Sequence, residues 1–236
     1  MVLQFPAMKR LLLILLLIPF LLAQPATEVE ITAEPSHHLV LENATIRAFN
    51  VEVAPQTATL IHRHGHDYFS VSFGTAHISN EVVGKPAVEV NLGDGETRFV
   101  AGNFAHAARN LSEKPFRNVM IEFLQDEKSR QVASRWPEET GEKTFPGGHS
   151  KILFVKDGVR VSEVNLEPAA VVPSHHHDGP HLLVAVSDLD LRSDVEGSGP
   201  MPRKVKAGDI KWVPGGYTHT VTNVGKSPAR FVTLEF

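Results

Sequence analysis

No cysteine occurs among the 236 residues, which excludes a disulfide framework and removes thiolate chemistry from both catalysis and metal binding. Stability must therefore come from burial. No cluster of lysine or arginine is present either, and the formal charge is −4. A phosphate-binding surface needs concentrated basic charge, so a nucleic-acid partner is excluded. The chain also lacks a G-x-S-x-G elbow, a Walker phosphate loop and a glycine fingerprint of the dinucleotide-binding type, which argues against the enzymes built on them.

Long apolar runs are scarce. The conspicuous one, residues 11–23 (LLLILLLIPFLLA), follows Lys9-Arg10 and precedes a polar stretch, the order of a secretory signal peptide. A spanning helix needs about 20 apolar residues, and this run is shorter and carries Pro19. Met8 is an alternative start. Cleavage after Ala23 is expected, leaving 236 − 23 = 213 residues and, with Lys9 and Arg10 gone, a charge of −4 − 2 = −6. The expected location is periplasmic or secreted, with no membrane contact after cleavage.

What remains is rich in short β-type runs separated by turn signals: HLVLENATIRAFNVEV, TLIHRHGHDYFSVSF, AHISNEVV, AVEVNL and FRNVMIEFL, then KILFVKDGVRVSEVNL, HLLVAVSDLDL, KVKAGDIKWVP, HTVTNV and ARFVTLEF. This pattern predicts an all-β chain. Between the two series, the polar stretch 125–149 reads as a connection with a short helix before Trp136 and a Pro-Gly-Gly stop. The expected organisation is a signal peptide at 1–23, a β unit at 36–124, a linker at 125–149 and a second β unit at 150–236.

The two units repeat one another. A shift of 175 − 62 = 113 residues superimposes His62 on His175, His64 on His177, Gly95 on Gly208, His106 on His219 and Asn110 on Asn223 without a gap. The second histidine of each pair precedes the later one by the same interval, 106 − 64 = 219 − 177 = 42. Tandem duplication explains this; a solvated His175-His176-His177 surface tract does not.

Residues two apart in a strand share a face, so His175 and His177 project together, with His181 in phase if the strand continues. The turn before His219 holds Pro214, Gly215 and Gly216 and can bring a second strand alongside. Four converging imidazoles make a metal site, since neutral imidazole ligates zinc, iron, copper, nickel and manganese. Four neutral donors also leave the dipositive charge uncancelled, so an anionic or chelating small molecule is the expected partner.

These residues resemble the cupin motifs G(X)5HXH(X)3,4E(X)6G and G(X)5PXG(X)2H(X)3N. Gly208, Pro214, Gly216, His219 and Asn223 match the second motif in full. His175 and His177 supply the H-x-H of the first, with His181 where the family usually has glutamate. The resemblance implies two tandem antiparallel jelly-roll barrels, a bicupin, with a divalent transition metal (Mn, Fe, Cu, Ni or Zn) on His175, His177, His181 and His219. Some single-domain cupins are similar in using four histidines at this spacing.

The first half matches more loosely, with Ala101 and Asn103 at the proline and glycine positions of the second motif. His62, His64 and His106 supply three donors. The fourth is open: Tyr68 stands at the glutamate position, His66 shares its phase, and a bulge could bring Asp67 inward. The alternative is a degenerate barrel whose histidines only bond one another. His37, His38, His77 and His149 lie outside both motifs and read as exposed or structural. The sequons at Asn43 and Asn110 are assigned no glycan, and Trp212 and Tyr217 read as barrel packing. The resemblance leaves three functions open: a dioxygenase-like metal-dependent oxidoreductase, a Lewis-acid isomerase or lyase, and a non-catalytic binder, with barrels pairing within the chain or in a homodimer.

Overall fold

The computed structural model describes residues 27–125, 141–156 and 158–236. The expected signal peptide and the expected helix before Trp136 lie outside the described residues. The first half forms β1 (Val29–Glu30), β2 (His37–Glu42), β3 (Ile46–Val53), β4 (His62–His64), β5 (Tyr68–Phe73), β6 (Ala76–Val82), β7 (Val88–Leu92), β8 (Thr97–Val100), β9 (Phe104–Asn110) and β10 (Phe116–Phe123), with a 3-10 turn at Ile31–Ala33. The second half forms β11 (Gly141–Phe145), β12 (Gly148–Lys156), β13 (Val159–Leu166), β14 (Val171–His177), β15 (His181–Ala185), β16 (Leu189–Val195), β17 (Pro200–Val205), β18 (Ile210–Val213), β19 (Tyr217–Asn223) and β20 (Ala229–Glu235).

Each half is built from two sheets, ordered β1-β4-β9-β6-β7 and β2-β3-β10-β5-β8 in the first, and β11-β12-β13-β20-β15-β18 and β14-β19-β16-β17 in the second. Strand pairs are antiparallel except β1 with β4. The expected all-β architecture is therefore present. One expectation is amended: residues 141–145, inside the stretch read as a connection, form β11 and pair with β12 across the Pro146-Gly147-Gly148 turn. Their polarity fits an edge strand, which needs apolar residues on neither face.

Two-residue alternation gives the long strands two buried faces. In β3, Phe49, Val51 and Val53 point into the first barrel with Leu92, Phe116 and Met120, while Ile46 and Ala48 point outward. In β20, Ala229 and Phe231 point into the second barrel, while Val232 and Leu234 point outward. The outward faces of β3, β5 and β10 meet those of β13, β15 and β20 in a single apolar cluster that holds both halves together. The repeat is visible in this contact. Phe123 and Phe236, equivalent under the shift of 113, face one another with ring centroids 6.4 Å apart. Fully burying side chains such as Phe69, Ile121, Leu182 and Leu234 contributes about 1.5–3 kcal/mol each, so the contact is a core and not a loose docking surface.

The inward faces are not apolar throughout. Arg47 and Glu122, and in the repeat Arg160 and Glu235, stand on the same alternating lines as the core residues. They close on one another across β3 and β10 (2.6 and 2.9 Å) and across β13 and β20 (2.6 and 2.7 Å). Tyr68 on β5 and His181 on β15 are in phase with these lines. Each barrel thus has an apolar end and a polar end, and the histidines gather at the polar end.

Among the described residues, three that are not glycine adopt positive φ: Gln56 (56°), Asn103 (65°) and Ala169 (67°). Gln56 and Ala169 each stand six residues before the H-x-H pair, and Asn103 stands three before His106. These are glycine positions of the cupin motifs. The turns there take a left-handed shape that glycine adopts most easily, although none of the three residues is glycine.

Candidate metal centres

In each half two strands carry the three motif histidines. β4 pairs with β9 so that His62 lies directly opposite His106, and β14 pairs with β19 so that His175 lies opposite His219. His64 and His177, two residues along, share the same face. The loops that deliver these strands depend on glycine. The Gly216 amide, at φ 82°, bonds the His177 carbonyl at 2.6 Å. A side chain at Gly215 would meet the Gly179 backbone at 2.2 Å. In the first half, the Asn103 amide makes the matching bond to the His64 carbonyl at 2.7 Å.

The donors converge. One ligand nitrogen from each of His62, His64 and His106 lies within 4.8 Å of the others, and the same holds for His175, His177 and His219. The Nε2 atoms face each other at 3.0 Å between His64 and His106, 3.0 Å between His175 and His219, and 3.2 Å between His177 and His219. The opposite nitrogens are engaged. His62 Nδ1 meets the Leu60 carbonyl at 2.9 Å, and His175 Nδ1 meets the Pro173 carbonyl at 2.8 Å. His106 Nδ1 meets Asn80 Oδ1 at 2.5 Å, His219 Nδ1 meets Ser193 Oγ at 2.7 Å, and His177 Nδ1 meets Glu235 Oε1 at 2.8 Å. Acceptors at Nδ1 hold the proton there and leave the Nε2 lone pair facing the centre, the arrangement of metal-ligating histidines with oriented outer partners. Each partner recurs at the shift of 113: Leu60 with Pro173, Asn80 with Ser193, Glu122 with Glu235. The halves differ at one point, since His64 Nδ1 stands 3.9 Å from Glu122.

The electrostatics also suit neutral donors. Burial, reinforced by neighbouring imidazoles, pushes His64 down to about 2 and His106 and His219 to about 3. His181 falls to about 3 for the same reasons. Burial likewise lowers His62 and His175. Burial opposes ionisation of Glu235, but bonds from His177 and Arg160 outweigh it and hold the carboxyl below its ordinary value. Six imidazoles that stay neutral at pH 7 are ready to bind a cation without first losing protons.

The fourth positions diverge. His181 opens β15, in the sheet facing β14, and stacks on His177 with centroids 4.1 Å apart. It does not continue the His175–His177 strand, so the chain turns between them; its Nδ1 is buried without a hydrogen-bond partner, and it is not among the donors that lie within 4.8 Å of one another. In the first half, Tyr68 occupies the equivalent place and stacks on His64 at 4.4 Å. Burial, then the Glu122 charge, raises its phenol pKa. Asp67 is not among the grouped donors; its Oδ1 accepts the Gly102 amide at 2.8 Å. His66 is not grouped either. Sequence reasoning passed over His37, which packs against His62 with centroids 4.6 Å apart and bonds Glu34. It falls outside the repeat and outside both motifs, and Glu34 three residues earlier is the only local signal.

A cavity of about 590 Å³ opens onto the second centre, lined by His175, His177, His181, His219, Tyr217 and Arg203 among others. Arg203 has no ion-pair partner among the described residues, and its charge depresses His181 and His219 in part. Burial raises the Tyr217 phenol. Tyr217 therefore lines the site in addition to packing the barrel. The motif asparagines have a different task. Asn110 and Asn223 are buried, and each donates to the carbonyls of two separate segments: Val53 and Lys114, and Leu166 and Ser227. Their amides are consumed in tying turns together, which fits the reading of Asn110 as unglycosylated.

No protein-family model matches the sequence, and no curated protein matches it at the sequence level. Solved structures do match. The chain is similar to Bacillus subtilis oxalate decarboxylase at pH 4.6, with a TM-score of 0.59 at 14% identity over 85% of this chain and 74% of that one. It is similar to the same enzyme in work on its Mn(II) centres, with a TM-score of 0.59 at 15% identity over 85% and 75%. An oxalate decarboxylase structure concerned with its substrate binding mode gives 0.59 at 14% identity over 85% and 75%. At this identity the likeness speaks for the fold, and the chain has the antiparallel jelly-roll fold of the cupins, with a triad of histidines in each half that could hold a divalent metal.

Proposed function

We propose that this protein is an exported bicupin that holds a divalent transition metal on His175, His177, His219 and His181 and acts as a dioxygenase-like, metal-dependent oxidoreductase on a small chelating anion. The observation that carries the metal reading is the set of three Nε2 atoms aimed at one point with their Nδ1 protons anchored. Arg203 carries the substrate reading. A guanidinium lacking an ion-pair partner among the described residues, in the same cavity, suits a carboxylate or enolate that also reaches the metal. The oxalate decarboxylase neighbours, named for a small dicarboxylate and in one case for Mn(II) centres, support that substrate class and metal. His62, His64 and His106 are proposed to hold a second ion.

A divalent ion here supplies Lewis-acid charge and, if redox-active, a route for electrons to dioxygen. The chain's own residues do the rest. Arg203 binds and orients the anion, Glu235 keeps His177 in its ligating tautomer, and the barrel wall limits the substrate to small molecules. Tyr217 favours a second reading, a Lewis-acid isomerase or lyase: its phenol keeps its proton at neutral pH and lines the cavity, where it can serve as a proton donor.

The test is elemental analysis of wild type, His177→Ala and His64→Ala, followed by oxygen-uptake screens against small hydroxy, oxo and dicarboxylic acids. Substrate-dependent oxygen consumption lost in His177→Ala is the expected result. Turnover without oxygen, or with zinc alone, selects the isomerase or lyase. Tight binding with no turnover makes the protein a binder, and no stoichiometric metal after reconstitution overturns the metal reading.

A further inference from the structure

The outer partners of the two triads stand at equivalent positions, although His64 Nδ1 is 3.9 Å from Glu122 where His177 Nδ1 is 2.8 Å from Glu235, but the fourth histidine is not shared. The second half has His181 on β15; the first half has Tyr68 there. Conversely, the first half has His37 on β2, and the equivalent position, 37 + 113 = 150, is Ser150, which lines the open cavity of the second half. The first half has placed an imidazole where the second half has space.

His37 is held for a purpose that packing alone does not require. Its side chain is 6% exposed and that of Glu34 is 1% exposed. His37 Nδ1 lies 2.6 Å from Glu34 Oε2, which also accepts the Ser36 amide at 2.7 Å, while Glu34 Oε1 accepts the Leu60 amide at 3.1 Å. The carboxylate is thereby fixed on both oxygens, and it fixes the His37 proton on Nδ1. Leu60 in turn supplies the carbonyl that orients His62, so Glu34 braces two imidazoles at once. The His37 ring stands 4.6 Å from His62, the same centroid distance as between His62 and His106, and 6.3 Å from His64. His62 Nε2 is buried with no hydrogen-bond partner. His37 is not within 4.8 Å of all three triad donors, but a neutral imidazole packed beside His62 with a carboxylate behind it has the form of a metal donor with its outer partner, and a shift of its ring toward His62 Nε2 would complete the set.

We propose that His37, oriented by Glu34, is the fourth protein ligand of the first metal centre, so that the two centres draw their fourth histidine from different strands. This rests on reading His62, His64 and His106 as a metal site. His37 would add a donor from the sheet opposite β4 and β9, the side from which His181 stacks on His177 in the second half. The first centre then has four imidazoles packed against Tyr68 and Phe104, whereas the second opens on a cavity. The first is a closed, structural type of site and the second keeps room for a substrate.

The experiment uses the full chain carrying His177→Ala and His219→Ala, which leaves only the first centre, and Zn2+ as the probe. Affinity is read by competition with a chromophoric chelator, and the number of imidazoles around zinc by X-ray absorption. His37→Ala should lower the count from four to three and weaken binding. Glu34→Gln, which leaves His37 in place, should weaken binding about 10- to 100-fold. Unchanged affinity and count in His37→Ala, with binding abolished by His64→Ala, overturns the role of His37 and leaves the triad standing. No zinc in the folded double variant removes the first centre, and this proposal with it.

Discussion

His175 lies directly across the β14–β19 pair from His219, and their Nε2 atoms stand 3.0 Å apart. The same cross-strand pairing joins His62 to His106 in the first half. Directly opposed residues in an antiparallel pair are about 4.5–5.5 Å apart at Cβ, so two such imidazoles meet whenever both take inward rotamers. The grouping of histidines at each candidate metal centre is therefore a consequence of register, and the outer partners set its finer properties.

Glu235 is the partner with most to lose. It accepts from His177 and pairs with Arg160. Glu235→Gln should weaken metal binding at the second centre about 10- to 100-fold and, by removing the carboxylate that Arg160 meets at 2.6 Å, lower stability. Glu122→Gln should cost similar stability through Arg47 but disturb the first centre less, because Glu122 is 3.9 Å from His64. Chelator competition and chemical denaturation, run on both variants, check the contrast.

Arg203 should govern substrate affinity and not metal content. A charge-assisted bond to a carboxylate contributes about 1.5–3 kcal/mol, so Arg203→Ala should weaken oxalate binding to the metal-loaded protein about 10- to 100-fold. Calorimetric titration, with metal analysis alongside, gives both numbers. Equal oxalate affinity in the variant would remove Arg203 from the binding site.

The metal-free protein should lose stability in acid. His64, His106, His181 and His219 have native values near 2–3 against an ordinary 6.5, so below pH 6.5 the unfolded chain binds protons that the native state refuses. Stability therefore falls as pH drops from 6.5 toward 3. Glu34 and Glu235, both lowered in the fold because bonds outweigh the penalty of burial, add to the loss as pH falls below 4.5. Thermal melts from pH 7 to pH 4 should show Tm declining throughout, most steeply below pH 6.

Ala169 holds φ 67° with its side chain exposed. Its methyl group contributes no burial, while the left-handed conformation costs an alanine about 1–2 kcal/mol. Ala169→Gly should raise stability by up to about 1 kcal/mol, seen as a higher denaturation midpoint with unchanged metal content.

Much of this protein was legible in one dimension. Alternating apolar residues declare strands, and the shift of 113 declares the duplication. The spacing of His175, His177 and His219 within its motif declares a convergent site, because the period of a strand and the demands of a glycine turn are local properties. Asn110 and Asn223 were visible as a repeated pair, though not as turn clamps. Beyond that, the decisive contacts join residues with no local relation. His181 stacks on His177 from the facing sheet and does not continue the His175–His177 strand. Asp67 is turned to the Gly102 amide. Glu235 and Arg203 come from distant strands. His37 read as exposed or structural, and only the fold brings it against His62 of β4. Sequence determined which residues could serve a metal and how each strand is faced. Only the closing of two sheets over one another decided which side chains meet, because that depends on packing across the barrel and not on spacing along the chain.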